Sequence, residues 1–169
     1  MTEQELEYYM DTYTSYLLRI GYYYTKDIER SKDLAQDVFL KLYYSSYEER
    51  GNMKAYIGTL MANCCKDYLK SWAFRKITVQ QLFQKEPRVY DSNSLIEQDE
   101  RDAVEAAILQ LKIPLREVIV FYYMEELTTK EIAQLLNTPE STIKTRLKTA
   151  RKQLHEALQH IEWEVLYNG

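Results

Sequence analysis

The sequence predicts an all-α protein built from two small helical domains joined by a flexible linker, and three observations carry that prediction. Glycine and proline number only 4 and 3 in 169 residues, while Leu, Lys, Glu, Gln and Ala are common, so long helices form readily and a turn-rich β architecture does not. Apolar residues recur at helical spacing through two stretches, with a loss of periodicity between them from Ile77 to Arg101. Basic residues gather in two islands of an otherwise acidic chain.

The elements follow in order. Residues 4 to 24 carry apolar side chains at helical spacing. The pattern breaks at Thr25 to Glu29, resumes with Leu34, Val38, Phe39 and Leu42, and breaks again at Ser45 to Asn52, where paired serines, charges and a Gly-Asn pair interrupt it. It returns with Tyr56, Ile57, Leu60, Met61, Tyr68 and Leu69, so residues 1–76 read as one bundle of three main helices. Residues 77–101 then read as an acidic interdomain linker, with Pro87, the cluster Asp91 to Ser94, and Glu97, Asp99 and Glu100. A second helical group, residues 102–169, is broken at Lys112 to Pro114, at Glu125 to Thr128 and at Asn137 to Pro139.

The last of those breaks has specific chemistry. Thr128 with Glu131 three residues on fits a capping box, and Ile132, Ala133, Leu135 and Leu136 give a short helix its apolar face. Asn137 tolerates the left-handed conformation that a tight turn requires, and Thr138-Pro139-Glu140 reads as an N-cap, a proline at the first helical position and an acid in the first turn. In the helix that follows, Ile143, Leu147, Ala150, Leu154 and Leu158 form one apolar stripe, leaving Lys144, Thr145, Lys148 and Lys152 off it. A short helix, a tight turn and a longer helix with a basic outer face present side chains to the major groove. Ser141, Lys144, Thr145 and Lys148 are the candidates for base edges and Arg146, Arg151 and Lys152 for phosphates, with Thr142 a further DNA contact on the same helix. The bland alternative is a helical hairpin with a solvated lysine face.

The net charge of −4 hides its distribution. Residues 54–76 carry Lys54, Lys66, Lys70, Arg75 and Lys76 against Asp67, and residues 128–155 carry Lys130, Lys144, Arg146, Lys148, Arg151 and Lys152 against Glu131 and Glu140. Each island therefore holds a net +4. No nucleophile and base pair stands out, so no enzyme and no small-molecule substrate is expected. The adjacent Cys64 and Cys65 have poor geometry for a bridge and no metal-ligand spacing, and His155 and His160 have no acidic or cysteine cluster near them, so neither metal nor cofactor is expected. No apolar run approaches bilayer length and the opening residues Met1 to Glu7 are acidic, which points to the cytoplasm.

Family resemblance enters at these residues. The run from Asp33 to Tyr43 (DLAQDVFLKLY) resembles region 2.2 of sigma factors, and Ala55-Tyr56-Ile57 through Asn63 to Lys66–Lys70 (KDYLK) resembles regions 2.3 and 2.4. Thr129–Ala133 (TKEIA) and Ser141–Leu147 (STIKTRL) resemble region 4.2. The match spans nearly the whole chain and is to the small extracytoplasmic-function type, since the linker leaves no room for a middle domain. Two departures stand out: Tyr56-Ile57 replaces a common Trp-Leu pair, and Ser141 replaces a frequent glycine, which puts the base preference in question but not the binding.

The resemblance implies partners and site residues. It implies core RNA polymerase, gripped at the clamp helices of its largest subunit by Asp33, Gln36, Asp37 and Leu40 and also met at its flap. It implies promoter DNA, melted at the −10 element and double-stranded at the −35 element. For the melted strand it nominates Tyr47, Asn52, Lys54, Tyr56, Asn63, Lys66, Asp67, Lys70, Arg75 and Lys76, with Tyr47 and Tyr56 as candidate stackers, although tyrosines on a bundle are more often packing residues. It further implies an anti-sigma factor that could hold the protein at the membrane. Charge segregation adds an expectation that the acidic linker screens the basic faces until polymerase spreads the domains.

Two rival readings stay open: a two-domain regulator binding operator DNA without polymerase, and a helical adaptor whose basic faces meet acidic proteins. The initiation-factor reading requires Lys144, Lys148 and the Asn63 neighbourhood to be open to solvent.

Overall fold

The computed structural model describes residues 1–45, 51–71 and 95–159. Every regular element among them is helical. Helix α1 (Glu3–Thr25) starts at a capping box in which Thr2 accepts from the Glu5 amide and Glu5 accepts from the Thr2 amide, at 3.2 and 2.7 Å. It ends at Lys26, left-handed at φ 60°. Asp27 caps α2 (Ile28–Tyr44) by accepting from the amides of Glu29 and Arg30, and Asn52 caps α3 (Met53–Lys70) by accepting from the amide of Ala55.

These three helices form the expected bundle. Leu17 and Ile20 of α1, Val38 and Leu42 of α2, and Ile57, Met61 and Cys65 of α3 are fully buried in its core. Gly21 allows the close approach of α1 to its neighbours, because a Cβ there would lie 2.6 Å from Met61 Cε and 2.8 Å from Ser31 Cβ. Cys64 and Cys65 are both buried and unbridged, and burial pushes the Cys65 thiol well above its ordinary range.

The second group comprises α4 (Leu95–Gln110), α5 (Ile113–Ile119), α6 (Thr129–Leu135) and α7 (Glu140–Ala157). Helix α4 begins inside the stretch read as linker. Residues 95–101 of that stretch are helical. Helix α5 does not stop at Ile119 but runs on as a π-helical turn, Val120–Met124, a feature the sequence pattern did not announce. The apolar stripe of α7, namely Ile143, Leu147, Ala150 and Leu154, is buried as its spacing requires.

The turn between α6 and α7 matches expectation with one shift. The Thr128–Glu131 capping box is formed and Asn137 is left-handed at φ 49°. Pro139, not Thr138, is the N-cap of α7, and it caps without a side-chain bond. The reason lies in the carbonyls: the Pro139 oxygen takes the first helical amides, from Thr142 and Ile143, while the Thr138 hydroxyl turns back to donate to the Leu136 carbonyl at 3.1 Å. Glu140 instead secures the turn, accepting from the Thr129 hydroxyl at 2.8 Å and so tying the starts of α6 and α7 together.

Candidate nucleic-acid interface

On α7, Ser141, Lys144, Thr145, Lys148 and Lys152 are exposed, and Thr142 is half-buried. The Thr145 hydroxyl donates back to the Ser141 carbonyl, and Lys144 pairs with Glu140 one turn earlier at 3.3 Å. An exposed pair of that kind contributes little to stability, so Lys144 can leave it for another acceptor. Arg151 is more committed: its Nε donates to the Tyr123 hydroxyl at 2.6 Å, and its guanidinium lies 5.4 and 5.6 Å from the Tyr122 and Tyr123 ring centroids. Arg146 is half-buried and faces inward.

On the first bundle, Asp33, Gln36, Asp37 and Leu40 are all exposed along α2, with Leu40 at 55 % an apolar side chain in open solvent. They lie opposite the buried stripe of Leu34, Val38 and Leu42. On α3 the nominated residues divide between two faces. Asn63, Asp67 and Lys70 are exposed on one. Lys54 and Lys66 lie on another, together with Gly58 and Thr59, and that face meets the second helical group. Tyr56 is half-buried, and Asn52 is spent on capping α3. Tyr47, Arg75 and Lys76 lie outside the described residues, as do His160 and the greater part of the expected linker.

The contact between the two groups is built on two buried glutamates. Glu117 of α5, 4 % exposed, accepts from the Tyr24 hydroxyl, pairs with Lys66 at 2.8 Å and lies 3.7 Å from Arg146. Glu125, also 4 % exposed, receives Arg19 through two nitrogens at 2.8 and 3.2 Å. Lys54 joins at 3.9 Å from its carboxylate and 3.3 Å from its carbonyl. The π turn sets this up: the Glu125 amide bonds the Val120 carbonyl five residues back, and Glu126 follows at φ 56°. Burial, together with the neighbouring Glu117, pushes the Tyr24 phenol well above its ordinary range. Burial also raises the Tyr23 phenol to about 12.

Arg116, next to Glu117, completes the joint. It is 7 % exposed and donates to the carbonyls of Leu109 and Leu111, both at 2.8 Å, and of Tyr23 at 3.0 Å. These carbonyls close the ends of α4 and α1, where unpaired acceptors and the negative helix-dipole end suit a cation. Sequence reading nominated none of Arg19, Arg116, Glu117 or Glu125. Their only signal was that Arg19, Arg116 and Glu117 fall among residues of helical apolar spacing and Glu125 at a break in it, which does not say what they meet.

Arranged this way, the surface offers exposed cations and hydroxyls on a helix that follows a tight turn, and a second cationic helix in the other group. Among the described residues no cluster of His, Cys, Asp and Glu could hold a metal, and no helix is long and apolar enough to cross a membrane. Residues 10–74 match the family described as Sigma-70 region 2, and residues 101–154 match Sigma-70, region 4. The chain is 21% identical to the ECF RNA polymerase sigma factor SigW of Bacillus subtilis, over 90% of this chain and 88% of that protein. It is 23% identical to SigX of the same organism, over 97% and 89%. Among solved structures it resembles the sigma factor RpoE in complex with the anti-sigma factor NepR from Bartonella quintana, with a TM-score of 0.69 at 21% identity, covering 94% of this chain and 99% of that one. It also resembles CnrH in complex with the cytosolic domain of CnrY, with a TM-score of 0.68 at 16% identity over 95% and 92%.

Proposed function

We propose, from the premise that the chain belongs to the sigma-70 family and is an extracytoplasmic-function sigma factor, that it binds core RNA polymerase and directs it to promoters through two separate DNA contacts. The observation that carries this reading is the exposed basic face of α7 behind a correctly built turn, paired with a second exposed polar helix face, Asn63, Asp67 and Lys70, on the other helical group. The first is shaped to enter a major groove and the second to follow a melted strand.

The roles divide by chemistry. Ser141, Thr142, Lys144, Thr145 and Lys148 read bases of the −35 element, with Arg146, Arg151 and Lys152 at phosphates. Asn52, Lys54, Tyr56, Asn63, Lys66, Asp67 and Lys70 serve the −10 element, along with Tyr47, Arg75 and Lys76. Asp33, Gln36, Asp37 and Leu40 dock on the polymerase, where an exposed leucine among carboxylates suits a partner helix with apolar and basic side chains. Residues 1–76 and 102–169 act as the two binding domains. The protein holds and positions DNA in the cytoplasm, and the polymerase supplies the chemistry. An anti-sigma factor is the fitting regulator, since the two similar solved structures are described as complexes with NepR and with CnrY.

Run-off transcription with core polymerase on genomic fragments tests the reading. Discrete starts that depend on the added protein are expected, and they are lost in Lys144→Ala/Lys148→Ala. If the protein instead protects palindromic duplex sites in the absence of polymerase and adds no starts, it is an operator-binding regulator.

A further inference from the structure

We propose that Glu117 and Glu125 are internal substitutes for DNA phosphate, forming a two-point charge latch that holds the helical groups closed over their own strand-facing cations until DNA binding displaces it. The proposal rests on the reading of Lys54, Lys66 and Arg146 as DNA contacts and deepens it by naming what controls their availability.

Each carboxylate holds two cations. Glu117 joins Lys66 of α3 at 2.8 Å to Arg146 of α7 at 3.7 Å, so a single side chain neutralises one cation from each DNA-contacting helix. Glu125 holds Arg19 and Lys54 of the first bundle from a position in the second group. A carboxylate and a phosphate present the same anionic oxygens to lysine and arginine, so whichever of the two is bound excludes the other. Two acids inside the second group thus screen these cations, independently of the charge of the linker.

Burying charges costs hydration that their mutual attraction only partly returns, so buried ion pairs hold the closed state less firmly than apolar contacts of the same size would. Opening rehydrates both glutamates and all their cations, and DNA then offers a denser row of anions than two side chains can. Meanwhile Asn63, Lys70, Lys144 and Lys148 stay exposed in the closed form, leaving a foothold for the first DNA contact.

The latch has a salt signature. DNA binding weakens with salt because phosphate contacts release counterions. Salt also screens the latch and raises the open fraction, and apparent affinity scales with that fraction. Wild-type protein should therefore show a shallower salt slope than a protein with no latch.

The test measures binding of the full chain, without polymerase, to a short mixed-sequence duplex and to the matching single strand across a salt titration, with small-angle scattering on the free proteins. Glu117→Gln/Glu125→Gln is expected to bind more tightly at low salt by roughly 5- to 150-fold, the ordinary range of intramolecular coupling, with a steeper slope and a larger radius of gyration. Arg19→Ala, which removes a cation that no DNA contact uses, is expected to gain affinity in the same direction. Loss of a cation ordinarily weakens DNA binding, so this gain separates the latch from a simple charge effect. Glu126→Gln, which removes one negative charge at an exposed neighbour where the double variant removes two, is the control. Equal gain in Glu126→Gln, or unchanged affinity and radius in Arg19→Ala, overturns the latch. If the double variant fails to fold, Arg19→Ala alone decides. Run-off transcription fails or succeeds independently of this outcome, so the two readings fall separately.

Discussion

Two residues that look alike on α7 carry different loads. Lys148 is exposed with no ion pair among the described residues, whereas Arg151 is held by the Tyr123 hydroxyl and lies over two rings. Lys148→Ala should leave thermal stability within about 0.5 kcal/mol of wild type while weakening promoter binding by about 1–3 kcal/mol. Arg151→Ala should lose about 1–2 kcal/mol of stability through the lost hydrogen bond and ring contact, with weaker DNA binding as well. Paired melting curves and promoter-binding titrations check both, and equal stability loss in the two variants would show that the tyrosine contacts do not matter. Helical spacing alone placed both residues off the apolar stripe. It could not show that Tyr122 and Tyr123 rise from a neighbouring π turn to meet only one of them.

At the scale of elements, the helix-turn-helix was legible because its determinants are local. Thr128, Glu131 and Asn137 act within three or four residues of themselves, so their chemistry reads directly from sequence, down to the left-handed Asn137. Thr128→Ala should cost about 0.5–2 kcal/mol in thermal or chemical unfolding. The same box makes this element acid-sensitive. Hydrogen bonds from the Thr128 amide and hydroxyl hold the Glu131 carboxyl below its ordinary range, and bonds from Thr129 and Lys144 do the same for Glu140. A carboxyl whose folded pKa is depressed contributes stability that is present above its unfolded pKa and is lost as pH falls through the folded value. Melting temperature should therefore drop as pH is lowered below the usual carboxylate range, and Glu131→Gln/Glu140→Gln should flatten that fall. An unchanged pH profile in the double variant would remove the caps from the account. The π turn at Val120–Met124 was not legible, because its residues read as ordinary helix and its geometry is imposed by what Glu125 meets on another element.

For the whole molecule, the joint between the helical groups escaped the sequence for the same reason at longer range: Arg19 and Glu125 stand 106 positions apart and no periodicity links them. Gly58 offers a way to test that joint without touching a charge. It is buried on α3 where α3 meets α6, and a Cβ there would press hardest on the Tyr16 hydroxyl, which is buried with no hydrogen-bond partner among the described residues, and would lie 2.9 Å from Leu135 Cδ1. Alanine favours the interior of a helix over glycine by about 0.5–1 kcal/mol, so α3 itself is not weakened by Gly58→Ala. Both contacts are too close, the Tyr16 hydroxyl being the nearer, so Tyr16 must shift within the first bundle and Leu135 must draw back as well. Leu135 belongs to the other helical group and is joined to α3 by the Thr59 hydroxyl on its carbonyl, at 3.1 Å. Tyr16 is fixed in the first bundle at 4 % exposure, with the Lys54 ammonium 5.1 Å from its ring centroid. Shifting Tyr16 strains the first bundle and drawing Leu135 back opens the joint, so Gly58→Ala should lower the melting temperature, enlarge the radius of gyration and tighten DNA binding at low salt. Combined with Glu117→Gln/Glu125→Gln it should add less than its separate effect, since both act on one closing equilibrium. A lower melting temperature with no change in radius would mean that Leu135 repacks in place beside the displaced Tyr16 and that α3 and α6 stay in contact.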